Sequence, residues 1–152
     1  MQNLTISSLL IFLFSVTAVA QSGPCTEQGI RTAIAVATQS RADFRANFVA
    51  DDVYFFSGAL EKPVVGKSER EKAGERVAAS RENQKWGDDK PDRIVVAPSG
   101  DMAYEYGTKR LSFDEKETGK HADFTDAYLR VWKNAGGSCK VVAEMAQPEG
   151  GQ

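Results

Sequence analysis

From Arg93 to the C-terminus the sequence runs as four strand-like segments, each separated from the next by a turn signal. That succession restricts the fold more than any other feature. Arg93-Ile94-Val95-Val96-Ala97 is β-branched and apolar, chemistry that suits a pleated surface. Pro98-Ser99-Gly100-Asp101 is a turn, with Gly100 free to take positive φ and Asp101 able to bond nearby backbone. The run behind it, extending to Phe113, alternates. Ala103, Glu105 and Gly107 share one face, and Met102, Tyr104, Tyr106 and Thr108 the other, because side chains alternate along a strand. The charged hairpin loop Asp114–Lys120 leads into a long strand, His121–Trp132. Asn134-Ala135-Gly136-Gly137 then turns the chain into a closing strand, Cys139–Ala146.

The preceding half has a different period. Ile30, Ala33, Ile34 and Ala37 recur at helical spacing and predict a helix opening at Thr26. A second helix is expected over Ser40–Val49, with Phe44 and Phe48 four apart and Arg41, Asp43 and Arg45 facing out. Val53-Tyr54-Phe55-Phe56-Ser57 predicts a strand. Ser68-Glu69-Arg70-Glu71 has the form of a capping box and predicts a third helix to Asn83, whose many charges form a solvated face. Gln84–Asp92 is expected as a loop, with Trp86 either covering the core or walling a ligand pocket. Helices grouped ahead of hairpin-linked strands define an α+β domain, with helices on one face of an antiparallel sheet.

The ends carry their own signals. Met1–Ala20 holds no charged residue, has the apolar centre Leu9–Phe14 and closes Ala18-Val19-Ala20. It reads as a signal peptide cut after Ala20, since the apolar run is short for a bilayer. Residues 21–25 are then a leader, 26–146 the domain and 147–152 a disordered tail. The net charge of −2 gives no electrostatic case for nucleic acid or an anionic membrane as partner, and after cleavage no membrane association is expected. In an oxidising compartment Cys25 and Cys139 could pair and tie the leader to the last strand; alternatively they are two unrelated thiols. Two cysteines and one histidine without clustering argue against a structural zinc site. Phosphate-cradling loops, Ser/His/Asp arrangements and metal spacings are all absent from the pattern, so no cofactor or metal is implied.

Four stretches carry a family resemblance. They are Phe48-Val49-Ala50-Asp51-Asp52-Val53, Gly66-Lys67-Ser68-Glu69, Ser99–Gly107, and Tyr128–Lys133 with Cys139–Val142. In this order they resemble the nuclear transport factor 2-like superfamily, which includes ketosteroid isomerase and the SnoaL-like polyketide cyclases. The likeness is greatest to a ketosteroid-isomerase-like branch often found with signal peptides. It implies a cone: a curved antiparallel sheet wrapped around three N-terminal helices, with a pocket inside. Cys139 stands where the family usually has Trp, which favours a local role such as a disulfide. The Tyr and two Asp of ketosteroid isomerase have no residue-by-residue match here.

Strand parity decides the candidate site. One grouping sets Ala103, Glu105 and Gly107 with Asp123, Thr125, Ala127, Leu129 and Val131, and with Val141, Ala143 and Met145. The other sets Met102, Tyr104 and Tyr106 with Phe124, Asp126, Tyr128, Arg130 and Trp132, and with Val142 and Glu144. The first suits helix packing, and the second, rich in Tyr, Trp and Arg, suits a homodimer interface formed through the sheet. If Glu105 points into the pocket, it is a general base or acid with a raised pKa; alternatively it pairs with an Arg or Lys or meets solvent. Opposite parity would bring Tyr104, Tyr106, Tyr128, Arg130 and Glu144 inward as a polar binding wall, with Tyr54, Trp86 and Thr125 as further pocket candidates. His121, beside a charged loop, is expected to be exposed. Three functions follow: an exported protein binding a small organic molecule, an isomerase- or cyclase-like enzyme using Glu105, or a dimeric interaction domain with a vestigial pocket.

Overall fold

The computed structural model describes residues 24–60 and 62–149. The expected signal peptide, residues 21–23 of the leader and residues 150–152 of the tail lie outside these residues.

Thr26 opens the first helix, α1 (Glu27–Gln39), its hydroxyl accepting from Gly29 N at 3.1 Å. The buried stripe is Ile30, Ala33, Ile34 and Ala37, as the spacing requires. Ser40 caps α2 (Arg41–Phe48) in the same way, accepting from Asp43 N at 3.1 Å, and Phe44 is its buried residue. The chain then enters β1 (Val49–Ser57) and a two-residue strand, β2 (Val64–Val65). The third helix, α3, spans Lys67–Ala79. Ser68 does not cap it. Gly66 is the N-cap, at φ 92° with no side-chain bond, a conformation cheap only for glycine.

The rest is strand: β3 (Arg81–Val96), β4 (Met102–Glu115), β5 (His121–Ala135) and β6 (Ser138–Pro148). The expected loop over Gln84–Asp92 is instead the first part of β3. Its polar residues are tolerated because β3 is an edge strand with three register shifts against β4, and edges accept Pro91 and polar side chains. Likewise Gln147 and Pro148, assigned to the tail, extend β6.

The sheet order is β2-β1-β6-β5-β4-β3. All neighbours are antiparallel except β1 and β6, which pair in parallel. The result is α+β, a curved, open, mixed sheet around three helices. A disulfide joins Cys25 to Cys139, and Cys25 N donates to Gly100 O at 2.9 Å. Crosslinking so distant positions is worth about 4–5 kcal/mol in the chain-entropy model. The apolar core sits beside this bond, where α1 and α2 cover Ala103, Trp132 and Val141. Phe44 meets Trp132 edge-on, ring centres 6.2 Å apart.

Candidate functional site

Register builds the site. Residues paired directly across strands project to the same face. Ala103 pairs with Trp132, Glu105 with Arg130, Gly107 with Tyr128, Lys109 with Asp126 and Leu111 with Phe124. Across the next ladder, Trp132 pairs with Val141, Arg130 with Glu144 and Tyr128 with Ala146. The inner face is therefore stacked in rows: an apolar row, a charged row, an aromatic row, then mixed rows toward the open end. Both groupings drawn from the sequence cross over at β5. Glu105 faces the same side as Tyr128, Arg130 and Glu144, whereas Leu129, Val131 and Met145 face away with Tyr104 and Tyr106. The parity of β5 depends on the hairpin after β4, and a one-residue difference there inverts the strand. A register shift at Val131/Trp132 changes the parity of β6 as well.

Arg130 is the centre of the charged row and is 1 % exposed. Its Nη1 donates to Glu105 Oε1 at 2.9 Å and its Nη2 to Asp89 Oδ2 at 2.7 Å, and its Nε lies 3.4 Å from Glu144 Oε2. The rings of Phe44 and Tyr128 flank its guanidinium at 4.9 and 4.6 Å. Three more cations complete the network. Arg41 pairs with Asp89 at 2.6 Å, Arg70 with Glu144 at 2.6 Å and Lys109 with Glu144 at 3.2 Å. Burial acts against ionising Glu144, but Arg70, Lys109 and Arg130 outweigh it and hold the carboxyl well below the usual range. Asp89 is lowered in the same manner, burial being outweighed by Arg130 and Arg41. At Glu105 burial wins over Arg130, and the pKa is pushed up to about 7. Its second oxygen, Oε2, has no hydrogen-bond partner.

In front of this network lies a cavity of about 830 Å³ between α2, α3 and the open end of the sheet. Its walls include Phe44, Phe55, Trp86, Leu111 and Phe124, with Ala73, Gly74 and Val77 from α3. Arg41, Arg45, Lys67, Arg70, Arg81 and Lys109 also line it, against the carboxylates Glu71, Glu75, Asp126 and Glu144. Arg41 and Arg45 therefore do not simply face out, and the charges of α3 are not all a solvated face. Arg41 and Lys109 both lie over the Trp86 ring, at 5.4 and 5.6 Å. Asp126 is a cavity carboxyl whose pKa is raised by burial, against the pull of Lys109 and Arg81.

The candidate residues thus separate. Trp86 and Glu144 line the cavity. Tyr128 and Arg130 are buried behind it, as is Glu105, which is not among its lining residues. Gly107, on the same strand face as Glu105, lies hard against β3: a Cβ there would stand 2.0 Å from Lys90 O. Tyr54, Tyr104 and Tyr106 are exposed on the opposite face. Thr125 borders a second depression beside Arg110 and Asp123. His121 is exposed and lies 2.7 Å from Asp114 Oδ1. Among the described residues no group of three His, Cys, Asp or Glu could hold a metal ion, and none of the described helices is long and apolar enough to cross a membrane.

Sequence reasoning missed Arg45, Phe55, Arg70, Asp89, Lys109 and Asp126. Arg41 and Arg45 four apart on α2 were the available signal, since that spacing puts both on one helical face.

No family model and no curated protein matches the sequence. Solved structures do match the fold. A ketosteroid isomerase-like protein from Erwinia carotovora atroseptica superposes with a TM-score of 0.63 at 15% identity, over 82% of this chain and 94% of that one. A nuclear transport factor 2-like superfamily protein from Salmonella enterica serovar Typhimurium gives 0.59 at 13% identity, over 82% and 89%. A SnoaL-like protein from Shewanella denitrificans gives 0.56 at 11% identity, over 81% and 89%. These identities speak for the fold, and the sequence resemblance holds at that level. The chain has the cone-shaped α+β fold of the nuclear transport factor 2-like superfamily.

Proposed function

We propose that this is an exported, homodimeric protein that binds a small organic molecule inside the cone. The observation that carries the reading is the cavity of about 830 Å³ with Phe44, Phe55, Trp86 and Phe124 in its walls, within the range of small-molecule sites. Export is supported by the Met1–Ala20 segment and by the Cys25–Cys139 bond, which suits an oxidising compartment. Dimerisation is supported by the outer face of the sheet, where Tyr54, Phe56, Met102, Tyr104, Tyr106, Leu129 and Met145 are exposed; a contiguous apolar patch calls for a cover.

Gly74 supplies the test. It lines the cavity on α3 and a Cβ there meets nothing within 4 Å. Gly74→Phe should project a ring into the cavity from a position whose Cβ is unobstructed, without loss of thermal stability, since glycine costs a helix about 1 kcal/mol. The fluorescent probe 8-anilinonaphthalene-1-sulfonate should bind the wild type and lose most of that binding in the variant. Equal binding by both would overturn the reading.

A second reading is an isomerase- or cyclase-like enzyme. It is supported by Asp126, a cavity carboxyl with a raised pKa, which is better placed than Glu105 to reach a bound carbonyl compound. Turnover of an enone or β-ketoester panel that Asp126→Asn abolishes would favour it over simple binding.

A further inference from the structure

The charges lining the cavity do not balance, and the imbalance has a location. Resting on the binding reading above, we propose that the ligand is an amphipathic organic anion, with its carboxylate, sulfonate or phosphate between Arg45 and Arg70 and its flat apolar body along Phe55 and Trp86.

The argument begins at Glu144. Its two oxygens serve three cations: Arg70 at 2.6 Å, Lys109 at 3.2 Å and Arg130 at 3.4 Å. One carboxylate cannot saturate so many donors. Arg70 shows the deficit. Its Nη2 donates to Glu144, while its Nη1 is a buried donor with no partner. An unmet buried donor is costly unless a ligand atom meets it. The Arg70 guanidinium also lies 4.5 Å from the Phe55 ring, which holds its plane at the cavity wall.

Arg45 adds to the excess. It lines the same cavity from α2 and makes no ion pair among the described residues. Burial lowers its pKa and the positive charge of Arg70 lowers it further. Two guanidiniums that line one partly buried cavity and act on each other repel, and an anion placed between them relieves both the repulsion and the open Nη1. Planar guanidinium groups match oxyanions with paired hydrogen bonds. The carboxylates Glu71 and Glu75 line the same cavity but are exposed to solvent, and Glu71 offsets only part of the effect of burial and Arg70 on Arg45, whose pKa stays lowered. The aromatic walls Phe44, Phe55, Trp86 and Phe124 leave the rest of the ligand an apolar environment, and Arg41 and Lys109, held over the Trp86 ring, add positive charge to that wall.

A matched pair of probes isolates the anion. N-phenyl-1-naphthylamine is neutral, and 8-anilinonaphthalene-1-sulfonate is the same skeleton with one sulfonate. The sulfonate should bind the wild type at least about ten-fold tighter than the neutral probe, the scale of one charge-assisted contact, with affinity falling as salt rises. Arg45→Gln and Arg70→Gln should each bring the ratio of the two affinities toward one. Arg45→Gln removes no ion pair among the described residues, so it guards against a folding defect in Arg70→Gln. If the neutral probe binds as tightly as the sulfonate and the ratio is the same in both variants, the anion assignment is overturned while cavity binding stands. If Gly74→Phe leaves the binding of both probes unchanged, they occupy another surface and the cavity reading itself falls.

Discussion

The two faces of the sheet invert the usual division between a protein's interior and its surface. On β4 the inward residues Glu105 and Lys109 are charged and buried, while the outward Met102, Tyr104 and Tyr106 are apolar or aromatic and exposed. On β5 the inward Asp126 and Arg130 are buried, while Leu129 faces out. Hydrophobic burial alone predicts the reverse. The inner face can hold charge because each buried ion has a counter-ion within reach, and burying an unpaired charge would be prohibitive. Among the described residues no helix lies over the outer face, and its aromatic rows are exposed. The difference teaches that charge inside and aromatic surface outside answer separate demands: the first lines a cavity, and the second is the surface through which the proposed dimer would form.

Three perturbations would break or sharpen that comparison. The largest effect is expected at Arg130. Arg130→Met removes the cation shared by Glu105, Asp89 and Glu144, and should cost about 3–5 kcal/mol of unfolding free energy in urea. Asp89 keeps Arg41, and Glu144 keeps Arg70 and Lys109, so the loss falls mainly on Glu105. Adding Glu105→Gln to Arg130→Met should recover part of it. A loss under about 1 kcal/mol would mean that the inner charges are not a coupled network.

A smaller effect concerns pH. Folded Glu105 holds its proton up to about pH 7, against an ordinary carboxyl value of 4.5. Between those limits the folded state binds more protons than the unfolded one, so this residue makes stability fall as pH rises through that window. Asp89 and Glu144 act in the opposite sense: their lowered values give stability that is lost as pH falls below the ordinary carboxyl range. Glu105→Gln should therefore gain stability relative to wild type as pH rises from 4.5 to 7, read by denaturant titration at each pH. A constant difference across the window would refute the assignment.

The smallest effect on the fold itself belongs to the outer face. Tyr104→Ser combined with Tyr106→Ser touches no buried contact, so each chain should keep its far-UV circular dichroism. The mass by light scattering at micromolar concentration should nonetheless fall from dimer to monomer. A monomeric wild type would instead show that the aromatic face serves some other contact.

How legible this was differs between elements. The stripe Ile30, Ala33, Ile34, Ala37 and the caps Thr26 and Ser40 are local signals, and α1 and α2 follow them. The Ser68 capping box was also local but lost to Gly66, whose N donates to Val53 O at 2.8 Å; that bond fixes the helix start two residues earlier through a contact distant in sequence. Gln84–Asp92 carries no strand signal of its own and becomes strand by pairing with β4. Arg45, Arg70 and Lys109 looked like surface charges because nothing in their neighbours' identity states what packs across from them.

The amino-acid sequence by itself determined the α+β order, the alternation of β4 and β5, and the two cysteines placed at the ends of the domain. These depend on neighbours a few residues apart, where period and turn chemistry act directly. Only the tertiary structure decided which face of each strand looks inward, that β1 joins β6 in parallel, and that Glu105 meets Arg130 behind the cavity wall. Each of these depends on strand register, and because side chains alternate with a period of two, a shift of one residue exchanges a buried ion for an exposed tyrosine.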